Sequence, residues 1–285
     1  MTVRLVHLTD PHLATPPAWR TLTGRSHHGK RFLGYLSWAR KRRHELRPEW
    51  LVELCAAAAA TAPDQWLLTG DLAQIGTEEE IRAAGAWLRA LAPAEAVTFV
   101  PGNHDVYAAE SLPCIRREWG PYLPEGDYPL VRRLADVAVF GLSSAVPTAP
   151  LSATGRLGTD QLHRLEAALS RHRDVFRVLV LHHPPLPGMI AYRKRLRDAA
   201  ALAALLERQP VHLILHGHRH RNQRSEKQGT RIYCTAPASA EAGSFRTFQI
   251  EREGGGWSVD AALTVRRGPH FEAAESESWS VSGPG

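Results

Sequence analysis

Carboxylates, imidazoles and an amide recur beside five short apolar runs of this 285-residue chain. Asp10-Pro11-His12 follows residues 3–8, Gly70-Asp71 follows 66–69, and Gly102-Asn103-His104-Asp105 follows 97–100. His182-His183-Pro184 closes the run 177–182, and His216-Gly217-His218 follows 211–215. Asp, His and Asn together make a mixed oxygen and nitrogen donor set. Such a set suits Mn, Fe, Zn or Co better than Mg or Ca, which prefer oxygen alone. No cysteine joins it, which disfavours a structural zinc site. Seven donors (Asp10, His12, Asp71, Asn103, His182, His216 and His218) exceed the needs of one ion. They fit two, bridged by a carboxylate at a separation of ~3.5–4 Å. Any one of these residues alone reads more plainly as a surface side chain; their joint recurrence reads as a site.

The elements that must position them follow from periodicity. Runs 3–8, 66–69, 97–100, 137–142, 177–182 and 211–215 read as strands. Residues 78–91 read as a helix with Ile81, Leu88 and Leu91 on one stripe and three acids in the first turn. Residues 159–172 and 194–208 read as two more. Past Arg231 the pattern turns strand-like, with 247–250 and 257–265 joined across Gly254-Gly255-Gly256. From Gly268 the chain is small and polar, so 268–285 is expected as a flexible C-terminal tail. Strands alternating with helices predict an α/β domain, whose ligand site forms beyond the carboxyl ends of the strands. Gly70, Gly102 and Gly217 stand where the chain must turn sharply beside a ligand.

The order DxH, GD, GNHD, a lone His and GHxH resembles the calcineurin-like metallophosphoesterase superfamily. Here it is carried by Asp10-Pro11-His12, Gly70-Asp71, Gly102-Asn103-His104-Asp105, His182 and His216-Gly217-His218. The resemblance spans residues 3–265. It implies a single domain over 1–267, an αββα sandwich of two mixed sheets flanked by helices. It also implies two divalent transition-metal ions, Mn2+, Fe2+/Fe3+ or Zn2+. Asp10, His12, Asp71 and His218 would hold one; Asp71, Asn103, His182 and His216 would hold the other. A water or hydroxide between them would attack phosphorus in line. His104 would touch the phosphoryl oxygen or protonate the leaving alkoxide, with Asp105 orienting it. The complete ligand set argues against a non-catalytic binding scaffold. His183 is expected to fill its loop, His220 to face solvent or substrate, and His7 to be structural.

Composition bounds the rest. Apolar residues are 44% of the chain with 8 Trp, enough for a full core. No run approaches the ~18 apolar residues of a membrane span. The opening MTVRLVHLTD reads as a strand, not a signal peptide. Cys55, Cys114 and Cys234 are odd in number and widely spaced, consistent with idle thiols in a reducing cytosol. The net charge is +6, yet residues 20–47 hold nine cations against Glu45 alone, so the remainder is slightly acidic. A general nucleic-acid surface explains that distribution poorly.

Two cationic stretches bear on substrate. Within an insert of about 16–50, Phe32-Leu33-Gly34-Tyr35-Leu36-Ser37-Trp38-Ala39 precedes Arg40-Lys41-Arg42-Arg43. Segment 30–47 could meet an anionic membrane surface, or lie as a lid over an acyl chain. It could equally be a helix that packs Phe32, Leu36 and Trp38 on its own domain. Arg193 and Arg195, in the stretch 193–197, are expected to contact a second phosphate. These features favour a lipid-linked nucleotide such as UDP-2,3-diacylglucosamine, with cyclic nucleotides as the alternative. The expected location is cytoplasmic, peripheral at the inner face of the membrane.

Overall fold

The computed structural model describes residues 1–13, 15–18 and 29–283. The start of the insert, including Arg20, Arg25, His27 and His28, lies outside them. Twelve strands among the described residues form two six-stranded mixed sheets. The first has the order β12-β11-β10-β1-β2-β3: His270–Val281, Gly256–Arg267, Ser244–Glu253, Thr2–Leu8, Gln65–Leu68 and Val97–Phe99. The second has the order β4-β5-β6-β7-β9-β8: Leu130–Leu134, Val137–Gly141, Phe176–Val180, Leu213–His216, Thr230–Cys234 and Gln223–Lys227. Strands β1, β2 and β3 run parallel to one another, as do β5, β6, β7 and β9. Their carboxyl ends therefore present loops along one edge.

The two-residue period of each strand splits its side chains between layers. Val3 and Leu5 of β1, Val178 and Val180 of β6, and Leu213 and Leu215 of β7 meet between the sheets. Val6 and Leu8 face outward to helices α3 (Pro48–Ala59), α4 (Glu78–Leu91) and α5 (Ser111–Trp119). Leu179 and Ile214 face α6 (Thr159–Ser170) and α7 (Ala199–Arg208). The result is the expected four-layer αββα sandwich. Each fully buried Leu, Val or Phe in these layers contributes about 1.5–3 kcal/mol. His7 sits between the sheets with Thr235 and Thr69 hydroxyls each 2.9 Å from a ring nitrogen, so the structural reading of it holds.

Two helix starts tie the scaffold to this loop-bearing edge. At α4, Thr77 Oγ1 accepts from Glu80 N–H and Glu80 accepts from Thr77 N–H, a reciprocal cap worth about 1 kcal/mol. The same carboxylate accepts from Gln74 N–H at 2.8 Å, which pins the loop leaving Asp71. Helix α7 begins at Ala199 and not at 194. Residues 195–197 bridge to Gly155, and the Asp198 carboxylate accepts from the amides of Leu157 and Gly158. The cations of 193–197 thus avoid the helix N-terminus that would repel them.

The expected tail is a correction. Residues 270–281 form β12, paired antiparallel with β11. Its polar sequence suits an edge strand with one wet face. Glu277 pairs with Arg224 and Arg231 and accepts from Tyr233 Oη, Glu275 pairs with Arg246, and Phe271 and Trp279 pack on the cores. The domain therefore extends to Val281. The three cysteines are free thiols, with Cys114 and Cys234 buried.

The insert forms one helical run, α1 (Lys30–Ser37), a π-helical turn over Trp38–Arg42, and α2 (Arg43–Glu45). Its packing seam is not Phe32, which is exposed. Gly34 is the buried residue; a Cβ there would overlap the Tyr107 hydroxyl and come within 2.9 Å of Ile75 Cγ2. Arg31 donates to the carbonyls of Ile75 and Gly76. Arg40, Lys41 and Arg43 are exposed, whereas Arg42 turns in.

Candidate metal centre

The loops at the carboxyl ends of β1 and β2 and beyond β7 hold their residues in unusual backbone conformations. Asp10, His12, Asp71, His218 and His220 have φ of 50°, 43°, 58°, 68° and 53°. Non-glycine residues in this left-handed region cost of order 1–3 kcal/mol each and persist where the surroundings enforce them. Here the enforcement is cross-loop hydrogen bonding: Asp10 N–H to Gly70 O at 3.0 Å and His12 N–H to Asp71 O at 3.0 Å. Two glycines make room. A Cβ at Gly102 would strike the Asp71 carboxylate, and one at Gly217 would strike Thr9 Oγ1 and approach Asp10 Oδ2 to 2.5 Å.

Two donor groups result, each with its atoms within 4.8 Å of one another. Asp10, His12, Asp71 and His220 form the first; Asp71, His182 and His218 form the second. Asp71 belongs to both. In the first, His220 Nε2 lies 3.2 Å from Asp10 Oδ1, and His12 Nε2 lies 4.0 Å from Asp71 Oδ2. In the second, His182 Nε2 lies 3.4 Å from Asp71 Oδ2, 3.1 Å from His218 Nδ1 and 3.1 Å from Asn103 Oδ1.

The donor chemistry fits a cation. His12 Nδ1 donates to Ala73 O at 2.9 Å and His182 Nδ1 to Thr69 O at 2.7 Å, tautomers assigned from these carbonyl partners. Each ring then turns a lone pair on Nε2 into the site. That of His182 faces Asn103 Oδ1 and Asp71 Oδ2. Nε2 of His12 and of His218 are buried with no hydrogen-bond partner among the described residues. Buried polar atoms are rarely left so unless something else binds them.

The electrostatics agree. Burial, then the neighbouring Asp10 and Asp105 carboxylates, push the Asp71 carboxyl well above its usual range. Burial opposes ionisation of Asp10 too, but His220, His182 and His12 together outweigh it and hold that carboxyl well below its usual range. Burial drives His12 down to about 3 and His216 to about 4, and His104, His183 and His218 well below 6.5. These imidazoles are neutral near pH 7, the form that ligates a metal.

A pH dependence follows for the metal-free protein. His7 and His212 are also lowered, to about 3 and about 4, chiefly by burial. Folded values below the ordinary 6.5 mean that the unfolded chain binds protons first. That stability is fully present above pH 6.5 and is lost as pH falls through 4 to 3. Burial raises the carboxyls of Asp71, Glu80 and Asp105, so they act in the opposite sense. Seven imidazoles outnumber three carboxyls. The melting temperature should therefore fall between pH 6.5 and 4, and a flat or rising profile would contradict the burial of neutral rings.

Asp10, His12, Asp71, Asn103, His182 and His218 converge as expected. His216 joins neither donor group, although its Nε2, like those of His12 and His218, is buried without a hydrogen-bond partner among the described residues. The ligand-like partner on that loop is His220, the second His of the frame Gly217-His218-Arg219-His220. Reading Gly-His-x-His strictly would have found it. His218 also stands with His182, not with Asp10 and His12. His183 is more than loop filling. Its ring packs 4.5 Å from that of His218, and its Nδ1 lies 2.8 Å from Ser144 Oγ.

Asp105 does not orient the His104 ring. Its carboxylate accepts from the amides of Asp71, Ala73 and Gly102, joining the two loops. The His104 ring is held by Gln74 O, 2.5 Å from Nδ1, and by Arg42, while His104 N–H donates to Asp71 Oδ1 at 2.7 Å. A cavity of about 550 Å³ opens over the centre, lined by Asp71, Asn103, His104, His218 and His220. Lys30, Lys41, Arg42, Arg193, Lys194 and Arg219 bring cations to it. Of the two arginines expected at a second phosphate, Arg193 lines this cavity. Arg195 does not: its guanidinium lies 3.5 Å over the exposed Tyr192 ring.

Comparisons with known proteins follow the same line. The family profile described as calcineurin-like phosphoesterase matches residues 3–222. A cAMP/cGMP dual specificity phosphodiesterase of Mycobacterium tuberculosis is 32% identical over 163 residues, 55% of this chain and 49% of that protein. The 3',5'-cyclic adenosine monophosphate phosphodiesterase of Haemophilus influenzae is 30% identical over 179 residues, 60% of each. The chain thus spans between about half and three-fifths of the length of these relatives. Purple acid phosphatase from yellow lupin (Lupinus luteus) seeds shares the fold, with a TM-score of 0.61 over 98% of this chain and 53% of that one at 12% identity. The matched span runs from β1 through the loop of His218 and His220, and the chain belongs to the calcineurin-like phosphoesterase family.

Proposed function

We propose that this protein hydrolyses phosphodiester or pyrophosphate bonds at a two-metal centre. The observation that carries the reading is the pair of donor groups sharing Asp71 at the floor of a cation-lined cavity. Asp10, His12, Asp71 and His220 would hold one ion, and Asp71, Asn103, His182 and His218 the other. Two such ions, when bound, neutralise phosphoryl charge and lower the pKa of a water. Mn, Fe or Zn suits the mixed donors. Lys30, Arg193, Lys194 and Arg219 would bind the anionic substrate. His104, whose Nδ1–H is held by Gln74 O, would reach the phosphoryl or leaving-group oxygen through an Nε2 that takes up a proton when the anionic substrate binds.

Cyclic nucleotides are the first substrates to test, because the curated relatives are named for them. A lipid-linked nucleotide is the second, favoured by Leu33 and Leu151, exposed to 42% and 76% beside the cavity they line. Membrane contact through residues 30–47 belongs to that second reading, and no helix among the described residues is long and apolar enough to cross a membrane. The test is a panel run with Mn-loaded protein: bis-p-nitrophenyl phosphate, p-nitrophenyl phosphate, cyclic AMP and UDP-2,3-diacylglucosamine. Turnover of none would overturn the proposal. His104→Ala should retain both ions and lose roughly 10²–10⁴-fold in kcat, the usual scale of general acid–base help.

A further inference from the structure

The helical insert sends one arginine into the centre. Arg42 Nη1 lies 3.0 Å from His104 Nε2 and 2.9 Å from Nδ1. Nδ1 is engaged by Gln74 O, so Nε2 is the atom that accepts from Arg42. Nη2 donates to Gly34 O at 3.1 Å. Nε is sealed from solvent without a hydrogen-bond partner, and no carboxylate among the described residues pairs with the guanidinium. A cation partly withdrawn from water and left without a counter-charge is costly unless an anion completes it.

The local backbone is built for this placement. Residues 38–42 form a π-helical turn inside an otherwise α-helical run, and Arg42 is its last residue. Such turns occur frequently at functional sites, where they change the direction of a side chain. Here the change separates Arg42 from Arg40, Lys41 and Arg43, which remain exposed. Gly34, with no room for a Cβ beside Tyr107, brings the run close enough for Arg42 to reach His104. Arg42 lines the same cavity as Asp71, Asn103, His218 and His220.

We propose that Arg42 is a substrate-binding residue, delivered by the insert, whose guanidinium takes a phosphoryl oxygen beside His104. In the free protein it rests on His104 Nε2. When a phosphoryl group arrives, the guanidinium turns its N–H groups from that lone pair to the phosphoryl oxygens. The planar fork suits two oxygens of one phosphoryl group better than an ammonium would. The insert then sets specificity as part of the site, not only as a surface.

This inference rests on the phosphoester reading, so its test includes a measurement without turnover. Metal-loaded wild type, Arg42→Ala and Arg42→Lys would be titrated calorimetrically with inorganic phosphate and assayed with bis-p-nitrophenyl phosphate. Both metal ions should remain bound in every variant. Arg42→Ala should weaken phosphate binding about 10-fold or more and lower kcat/KM by roughly 10²-fold, the scale of one lost preorganised donor. Arg42→Lys should recover part of each. Should Arg42→Ala fail to fold, Arg42→Met keeps the stem and carries the same measurements. Unchanged phosphate affinity and unchanged kcat/KM would overturn the inference. A fall in kcat alone, with phosphate affinity and KM intact, would also overturn it, because Arg42 would then act only through His104. If no substrate turns over yet phosphate binding depends on Arg42, the hydrolase reading fails and this one stands.

Discussion

Asp71→Ala is expected to empty both halves of the metal centre and to lower kcat/KM by roughly 10³-fold or more. Its Oδ2 is 3.4 Å from His182 Nε2 and 4.0 Å from His12 Nε2, so one side chain serves both donor groups. Its Oδ1 also accepts from His104 N–H at 2.7 Å, which places the His104 loop. Losing a single preorganised donor commonly costs 10²–10³-fold, and here metal and loop are lost together. Misfolding can be told apart from metal loss. Burial holds the Asp71 carboxyl well above its usual range, so at pH 7 its charge opposes folding of the metal-free chain. Metal-free Asp71→Ala and Asp71→Asn should therefore melt no lower than metal-free wild type. Added Mn should raise the melting temperature of wild type only, because a ligand stabilises what it binds. Elemental analysis finding two ions per chain in Asp71→Ala would refute the bridging role.

His220→Ala and His216→Ala should have opposite signatures. His220 Nε2 lies 3.2 Å from Asp10 Oδ1, within the first donor group. Removing it should weaken one ion by at least 10–100-fold and lower kcat/KM about 10²-fold. The fold should be unaffected, since 40% of that side chain is exposed. His216 is buried at the end of β7, outside both donor groups. His216→Ala should keep two ions per chain and instead lose about 1–3 kcal/mol of stability, measured by denaturant unfolding. If His216→Ala emptied a site while His220→Ala did not, the ligand frame would move back by two residues.

That frame marks how far the sequence could be read. The donors at strand ends were legible because a parallel strand must hand its chain to a loop at one known edge. Asp10, His12, Asp71, Asn103 and His182 needed no coordinates. Helix α4 was legible end to end, since its acids, cap and apolar stripe agree. The loop after β7 was less legible. It holds His216, His218 and His220 two residues apart, and composition alone does not say which two face the centre. The folded loop decides it, bringing His218 to Asp71 and His182 and His220 to Asp10 and His12. Strand β12 is not legible because its Glu275, Glu277 and Ser278 find their partners on other strands, which no local pattern reveals.

The sequence by itself determined the chemistry: which donor types exist, that they recur at strand ends, and that the chain builds an α/β layered fold around them. Local composition suffices there, because periodicity and turn residues are properties of short segments. Tertiary structure alone decided the partition of donors around Asp71, the use of Asp105 as a loop clasp, and the separation of Arg193 from Arg195. It also decided the fate of the residue 30–47 stretch. Its cations look alike along the chain, but a π-helical turn and a close contact at Gly34 send Arg42 to His104, put Lys41 at the cavity and leave Arg40 and Arg43 exposed. Such choices depend on contacts between residues tens of positions apart, and those distances exist only once the chain has folded.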